Sequence, residues 1–261
     1  MAGSDAAGAF RLPLRLLSIL GFLALWALAA VLADRAEVPG PLEVLDFLTR
    51  EAADGQLFYH LAITLARVAA AFLIAMFIGT AVGVMMGQHR RLDRLLDPWV
   101  ILMLNLPALV VIVLCYIWIG LTEAAAVTAV ALNKIPNVVV TLREGAKALD
   151  PRLMEMAQVF RFSRLRLLRH VILPQLFPFI AAAGRSGLAL IWKIVLVVEL
   201  LGRSNGVGFQ IHLYFQLFDV AAILGYALAF VCVMLCIEYI VVQPLETHLN
   251  RWRPGAASRA A

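Results

Sequence analysis

The chain has 261 residues, 63% of them hydrophobic and only 15% charged, with a formal net charge of +5; this is too apolar for a soluble domain and marks an integral membrane protein. The positive excess does not point to nucleic acid, because Lys and Arg fall at the ends of apolar runs rather than in a basic groove with interleaved aromatics. Three cysteines inside apolar runs argue against a disulfide framework, and no metal-ligand spacing, Walker loop, GxGxxG, GxSxG or HExxH pattern occurs, so neither a metal site nor a catalytic group is expected in this chain.

Crossing the hydrocarbon core takes about 20 mostly apolar residues. Six stretches meet that requirement: 16–33, 68–87, 99–121, 124–142, 171–201 and 220–242. Arg11 and Arg15 before the first run, with Val31-Leu32-Ala33 at its end, resemble a signal peptide. The run exceeds the usual h-region, so it is read as an uncleaved first helix. The segment after it is acidic, with a turn at Pro39-Gly40-Pro41 and a short interfacial helix expected over Leu42 to Thr49.

Charge sorts the connecting segments into two sets. Residues 1–15, 88–98, 143–170 and 243–261 carry 2, 3, 7 and 3 Lys and Arg, whereas 34–67, 122–123 and 202–219 carry 3, 0 and 1. The positive-inside rule therefore expects both termini, and the long 143–170 loop, in the cytoplasm.

That loop begins as a helix should: Asp150 can cap, Pro151 suits the first helical position, and Leu153, Met156, Ala157 and Phe160 recur at helical spacing. A second helix is expected from Ser163, with Arg164, Arg166 and Arg169 on one side and Leu165, Leu168 and Ile172 on the other. Composition alone reads the pair as a surface helix whose arginines meet anionic headgroups.

The spacing carries more. Glu155-Met156-Ala157, three residues, Arg161, nine residues, and then Val171-Ile172-Leu173-Pro174 resemble the cytoplasmic EAA loop of ABC importer permeases, with Met156 for the middle Ala and Arg161 for the usual Gly. A Gly there suits a left-handed turn, a conformation that costs other residues about 1 kcal/mol or more. Glu123-Ala124-Ala125 has the same letters but no Gly or Leu-Pro at the required spacing. The resemblance covers residues 57–253. His60, Thr64-Leu65-x-Arg67, Gly79, Gly83 and Gly87, then Gly187-Leu188, Ile191-Trp192, Glu199-Leu200-Leu201-Gly202, Gly206-x-Gly208 and Phe218-Asp219, are similar to landmarks of the nitrate, sulfonate and taurine permease family.

The resemblance implies an all-α polytopic fold of about six transmembrane helices with a cytoplasmic coupling helix, forming one permease domain over residues 1–261 in a bacterial inner membrane. It also implies a homodimer, fed by an external binding protein, in which two copies of a separate ATPase bind ATP and Mg and carry out hydrolysis. The coupling residues would be Glu155, Met156, Ala157, Val159, Phe160, Arg161, Leu173 and Pro174. The implied cargo is a small or organic anion such as nitrate, a sulfonate or taurine.

Ionisable residues within the spans are costly and should face protein or water. Lys134, beside Asn133 and close to Pro136 and Asn137, is either a cationic point on an anion path or one half of a salt bridge with Glu199 or Glu238. Lys193 and Glu199, six apart, lie on opposed faces, and each needs a partner elsewhere, which in a symmetric dimer the other copy can supply; the alternative for Glu199, at the outer end, is to seat the edge of the external binding protein or the periplasmic gate. Arg67 is expected near the outer interface in a structural, snorkelling role. Gly79, Gly83 and Gly87 form a small-residue stripe that suits packing either within one subunit or between two. Pro174 and Pro178 invite a kink in a fifth span long enough to tilt or to break near Gly184. The competing reading is an ion-coupled secondary transporter with Lys134, Glu199 and Glu238 as its relay.

Overall fold

A computed structural model describes the backbone over residues 5–33 and 37–244 and the side chains of 16–33, 37–240 and 242–244. The basic residues expected near the two ends of the chain lie outside the described side chains. The described residues form helices and turns and contain no strand. Five helices are long and apolar enough to cross a membrane, or six if a bent pair counts as one span.

The first helix, α1 (Asp5–Ala33), stands apart from the bundle, and Trp26 Nε1 donates to the Pro39 carbonyl at 3.0 Å where the chain turns back. The expected interfacial helix is α2 (Pro41–Ala53). It is fixed by Phe47, which packs edge-on to Tyr214 and Tyr226, and by the Tyr226 hydroxyl donating to Glu51 at 2.5 Å. Gly225 makes this seat, since a Cβ there would stand 2.6 Å from the Phe47 ring.

The core is a triangle of α3 (Gln56–Gln88), α6 (Glu123–Lys147) and α9 (Leu173–Gly202). The glycine stripe of α3 faces α6 of the same chain. A Cβ at Gly79 would lie 2.6 Å from Val138 Cβ, at Gly83 2.6 Å from the Val139 carbonyl oxygen, and at Gly87 2.5 Å from Ala146 Cβ. Of the two packings open to this stripe, the intrachain one is therefore realised, with two backbones brought together across small residues.

The run 99–121 is broken. Helix α4 (Arg90–Asn105) and helix α5 (Ala108–Ile119) meet at 99° across Leu106-Pro107. Pro107 lacks an N–H and forces the residue before it out of the helical region, and Leu106 is extended at φ −70°, ψ 128°. The apolar run continues through the break, so hydropathy alone does not register it.

After α6 the chain leaves the bundle as helix α7 (Pro151–Val159), turns, and re-enters through helix α8 (Arg164–Leu167), a π turn at Leu168–Ile172, and α9. The π turn lies immediately before Pro174, whose missing N–H already interrupts the helical ladder. At about 45 Å for its 30 residues, α9 exceeds the hydrocarbon thickness of about 30 Å. No break occurs near Gly184, which packs on Phe72. Helix α10 (Val207–Gln216) then caps the far end, and α11 (Val220–Ile237) returns, ending in a second π turn at Glu238–Val242.

Candidate functional site

The chain places its chemistry at the two ends of the triangle and at its middle. At one end, Asp150 Oδ1 accepts the Arg152 N–H at 2.8 Å and starts α7, while the Asp150 N–H donates to Gln175 Oε1 at 2.8 Å, tying the excursion to α9. Arg161 stands in the left-handed region at φ 48°. The Arg161 N–H reaches the Gln158 carbonyl at 3.0 Å and the Phe162 N–H reaches that of Ala157 at 2.9 Å, so the turn is a Schellman cap made without glycine. Ser163 Oγ accepts the Arg166 N–H to start α8, and the Arg166 guanidinium lies over the Phe162 ring at 5.8 Å.

Nothing in this elbow from 155 to 169 is buried except Ala157, which alone of the expected apolar face turns inward. Val159 is 79% and Phe160 67% exposed; Leu153 and Met156 are open, as is Glu155. Leu173 and Pro174 are exposed at the start of α9. Beside the elbow, Arg143 pairs with Asp97 and with Asp93 at 3.4 Å, and Lys147 with Asp93 at 3.1 Å, locking α4 to α6.

The opposite end holds a closed polar knot. Arg67 Nη1 donates to Glu199 Oε1 at 2.7 Å and to the Asn205 carbonyl at 2.8 Å; its Nε and Nη2 donate to Glu123 at 2.8 and 2.6 Å, and Nη2 also meets Asn205 Oδ1. Arg203 adds bonds to Glu123 and to the Leu121 carbonyl, each at 2.5 Å. Glu199 Oε2 accepts from Thr64 Oγ1 at 3.0 Å and the Gly208 N–H at 2.8 Å, and Thr64 accepts the Val207 N–H at 2.9 Å. His60 Nδ1 accepts the Gly206 N–H at 3.0 Å, which leaves the ring proton on Nε2, 2.6 Å from the Gln210 amide. As placed, Gln210 turns its Nε2 to that ring and leaves Oε1 without a partner among the described residues; exchanging the amide oxygen and nitrogen lets Oε1 accept the Nε2 proton of His60. Gly206 has φ 106°, and a side chain on it would run into the Glu199 carboxylate. Next to the knot, burial and then the neighbouring Glu51 carboxylate push the Tyr214 phenol upward, keeping it a neutral donor to Glu51.

These positions alter several expectations. Arg67 is only 4% exposed, so it does not snorkel but anchors the knot. Glu199 is fully enclosed, with both oxygens engaged. Lys134 pairs with neither Glu199 nor Glu238: the first is held by Arg67, and the second lies 3.7 Å from Arg185. The three members of the supposed ion relay are thus not assembled. Lys193 is exposed on the face of α9 away from Glu199. Asn133 donates back to the Ala129 carbonyl and stays half-buried beside Lys134, which is 2% exposed.

Sequence reasoning missed Glu123 as a knot member, because it was weighed only as a false EAA motif, and it missed Arg203, Asn205 and Gln210. The available signal was charge: among residues 34–67, 122–123 and 202–219, Arg67, Glu123 and Arg203 each border a span.

Comparison with known proteins identifies the family and the fold. Residues 75–251, from within α3 to beyond α11, match the family model for the binding-protein-dependent transport system inner membrane component. SsuC of Bacillus subtilis, named for aliphatic sulfonates transport, is 31% identical over 174 residues, 67% of this chain and 63% of that protein, so the match spans slightly under two thirds of it. The taurine transport system permease TauC of Escherichia coli is 27% identical over 233 residues, covering 87% of this chain and 84% of TauC. An inward-facing form of the MetNI methionine ABC transporter shares the fold at TM-score 0.65 and 16% identity, over 76% of this chain and 98% of the matched chain. The chain belongs to the binding-protein-dependent transport system inner membrane component family and is a membrane-spanning permease subunit of an ABC importer.

Proposed function

We propose that two copies of this chain enclose the path of a small anion of the sulfonate type, handed over by an external binding protein and driven by two copies of a separate ATPase docked on the elbow. The single observation that carries the reading is the elbow itself. A helix capped at both ends and held off the bundle leaves Met156, Val159 and Phe160 without cover in their own subunit. An amphipathic helix of that kind suits a groove on a partner, with Glu155 and the flanking arginines setting its register.

On this reading the elbow end faces the cytoplasm, as its basic residues favour, and the knot end faces outward, with both termini inside and the chain in an inner membrane. ATP and Mg bind the ATPase, and hydrolysis takes place there. The anionic cargo follows the names of the sulfonate and taurine permeases that this chain resembles. Purification in mild detergent tests the assembly: the ATPase should copurify with the chain, and Glu155→Lys should release it or uncouple hydrolysis from uptake while membrane insertion persists. Ion-driven uptake by the chain alone, or unchanged coupling in the variant, contradicts the reading.

A further inference from the structure

Halfway along the triangle sits an ammonium with no counter-charge among the described residues. Lys134 is eleven residues from one end of α6 and thirteen from the other, about 16 Å or more from both, too deep for its side chain to reach a headgroup. It is 2% exposed and makes no ion pair or hydrogen bond among the described residues. The end of its side chain packs into the space left by Gly187: a Cβ there would stand 2.5 Å from Lys134 Cε and 3.2 Å from Nζ, so the flexible end would have to shift. Gly187 is likewise midway along α9, so the two helices meet around this charge at the depth where transporters place substrate.

Helix α3 closes one side of the α6–α9 seam, through Gly79 and Gly83 on Val138 and Val139 and through Phe72 and Met76 on Gly184. On the other side the seam is polar. Asn133, Asn137 and Thr141 recur every four residues on α6, half-buried, and Ser186 and Lys193 share an exposed stripe of α9 seven residues apart. Each amide spends one N–H on its own helix, Asn133 on Ala129 and Asn137 on Asn133, which leaves a second donor on each. The named groups of this face thus offer N–H donors and positive charge and no carboxylate. A face of that kind at mid-span does not suit lipid.

We propose that the open side of the α6–α9 seam is a wall of a water-filled anion path, and that the Lys134 ammonium, seated against Gly187, holds the negative group of the cargo at mid-membrane with Asn133 and Asn137 as accessory donors. This rests on reading the chain as an anion permease, and it adds the residues that select the charge.

Thiol labelling in membrane vesicles tests it without either the ATPase or the binding protein. In full-length chain carrying Cys115→Ala, Cys232→Ser and Cys236→Ser, a Ser186→Cys reporter is labelled with anionic 2-sulfonatoethyl methanethiosulfonate or with the cationic 2-(trimethylammonio)ethyl reagent. Rates are normalised to a Phe218→Cys reporter at the exposed far end. The anionic reagent should be favoured about tenfold. Lys134→Met, which removes a buried unpaired charge and so should not harm folding, should abolish the preference. Gly187→Ala, which keeps every charge but displaces only the flexible end of Lys134, should weaken it. A reporter that reacts with neither reagent, or a preference that survives Lys134→Met, overturns the proposal. If labelling behaves as expected but no ATPase binds the elbow, the anion wall stands and the importer reading falls.

Discussion

At one end of the bundle Arg67 and Arg203 balance Glu123 and Glu199, and the polar atoms of four segments pair mostly with one another, Arg203 Nε being left over. At the other end α7 and α8 leave Val159, Phe160 and Leu165 open and bury only Ala157. The first region is complete within one subunit. The second is complete only as a local structure, through its caps, and presents its apolar residues elsewhere. Substitutions in the knot should therefore be read in the stability of the isolated chain, and substitutions in the elbow in what the chain binds.

The largest effect is expected from Arg67→Met. It leaves Glu199 enclosed and unpaired, and breaking a buried pair on one side costs about 3 to 5 kcal/mol. Thermal melting in detergent should fall accordingly, whereas the same substitution combined with Glu199→Leu should recover part of the loss; additive losses would show that the pair is not coupled. Next comes Phe160→Asp at the elbow. Loss of an exposed apolar anchor is expected to weaken ATPase binding by about 2 kcal/mol, roughly 30-fold, with no change in melting. Equal melting shifts from Phe160→Asp and Arg67→Met would erase the contrast between the two ends.

Gly83→Val sharpens the comparison from the side of packing. Its Cβ would come within 2.6 Å of the Val139 carbonyl oxygen and 2.9 Å of Leu142 Cβ, so α3 and α6 must separate, at a cost of about 1 to 3 kcal/mol seen in melting. The smallest effect is expected from Arg161→Gly, which relieves the left-handed turn of about 1 kcal/mol of strain and should raise hydrogen-exchange protection at Arg161 and Phe162. Lower protection there would mean that the Arg161 side chain itself holds the turn.

Local features were the legible ones. Five of the six apolar runs lie in long helices; the Asp150 and Ser163 caps fall where their residue types suggest, and the unusual residue of the EAA-like spacing, Arg161, occupies the left-handed turn where a glycine is expected. Long-range pairing was not legible. Arg67 finds Glu199 132 residues away and Asn205 138 residues away, and no periodicity encodes such a meeting. The same limit hid the pairing of Glu238 with Arg185 and the lack of a partner for Lys134 among the described residues. The break at Leu106-Pro107 escaped for a different reason: apolar residues flank it on both sides, and hydropathy is blind to a change of direction.

Site-specific photocrosslinking tests the division between the ends most directly. A photoreactive residue at Val159 should capture the ATPase, whereas one at Phe218, 84% exposed but beside α10 at the knot end, should not. An ATPase adduct from position 218, or none from position 159 in an assembly that hydrolyses ATP, would contradict the account.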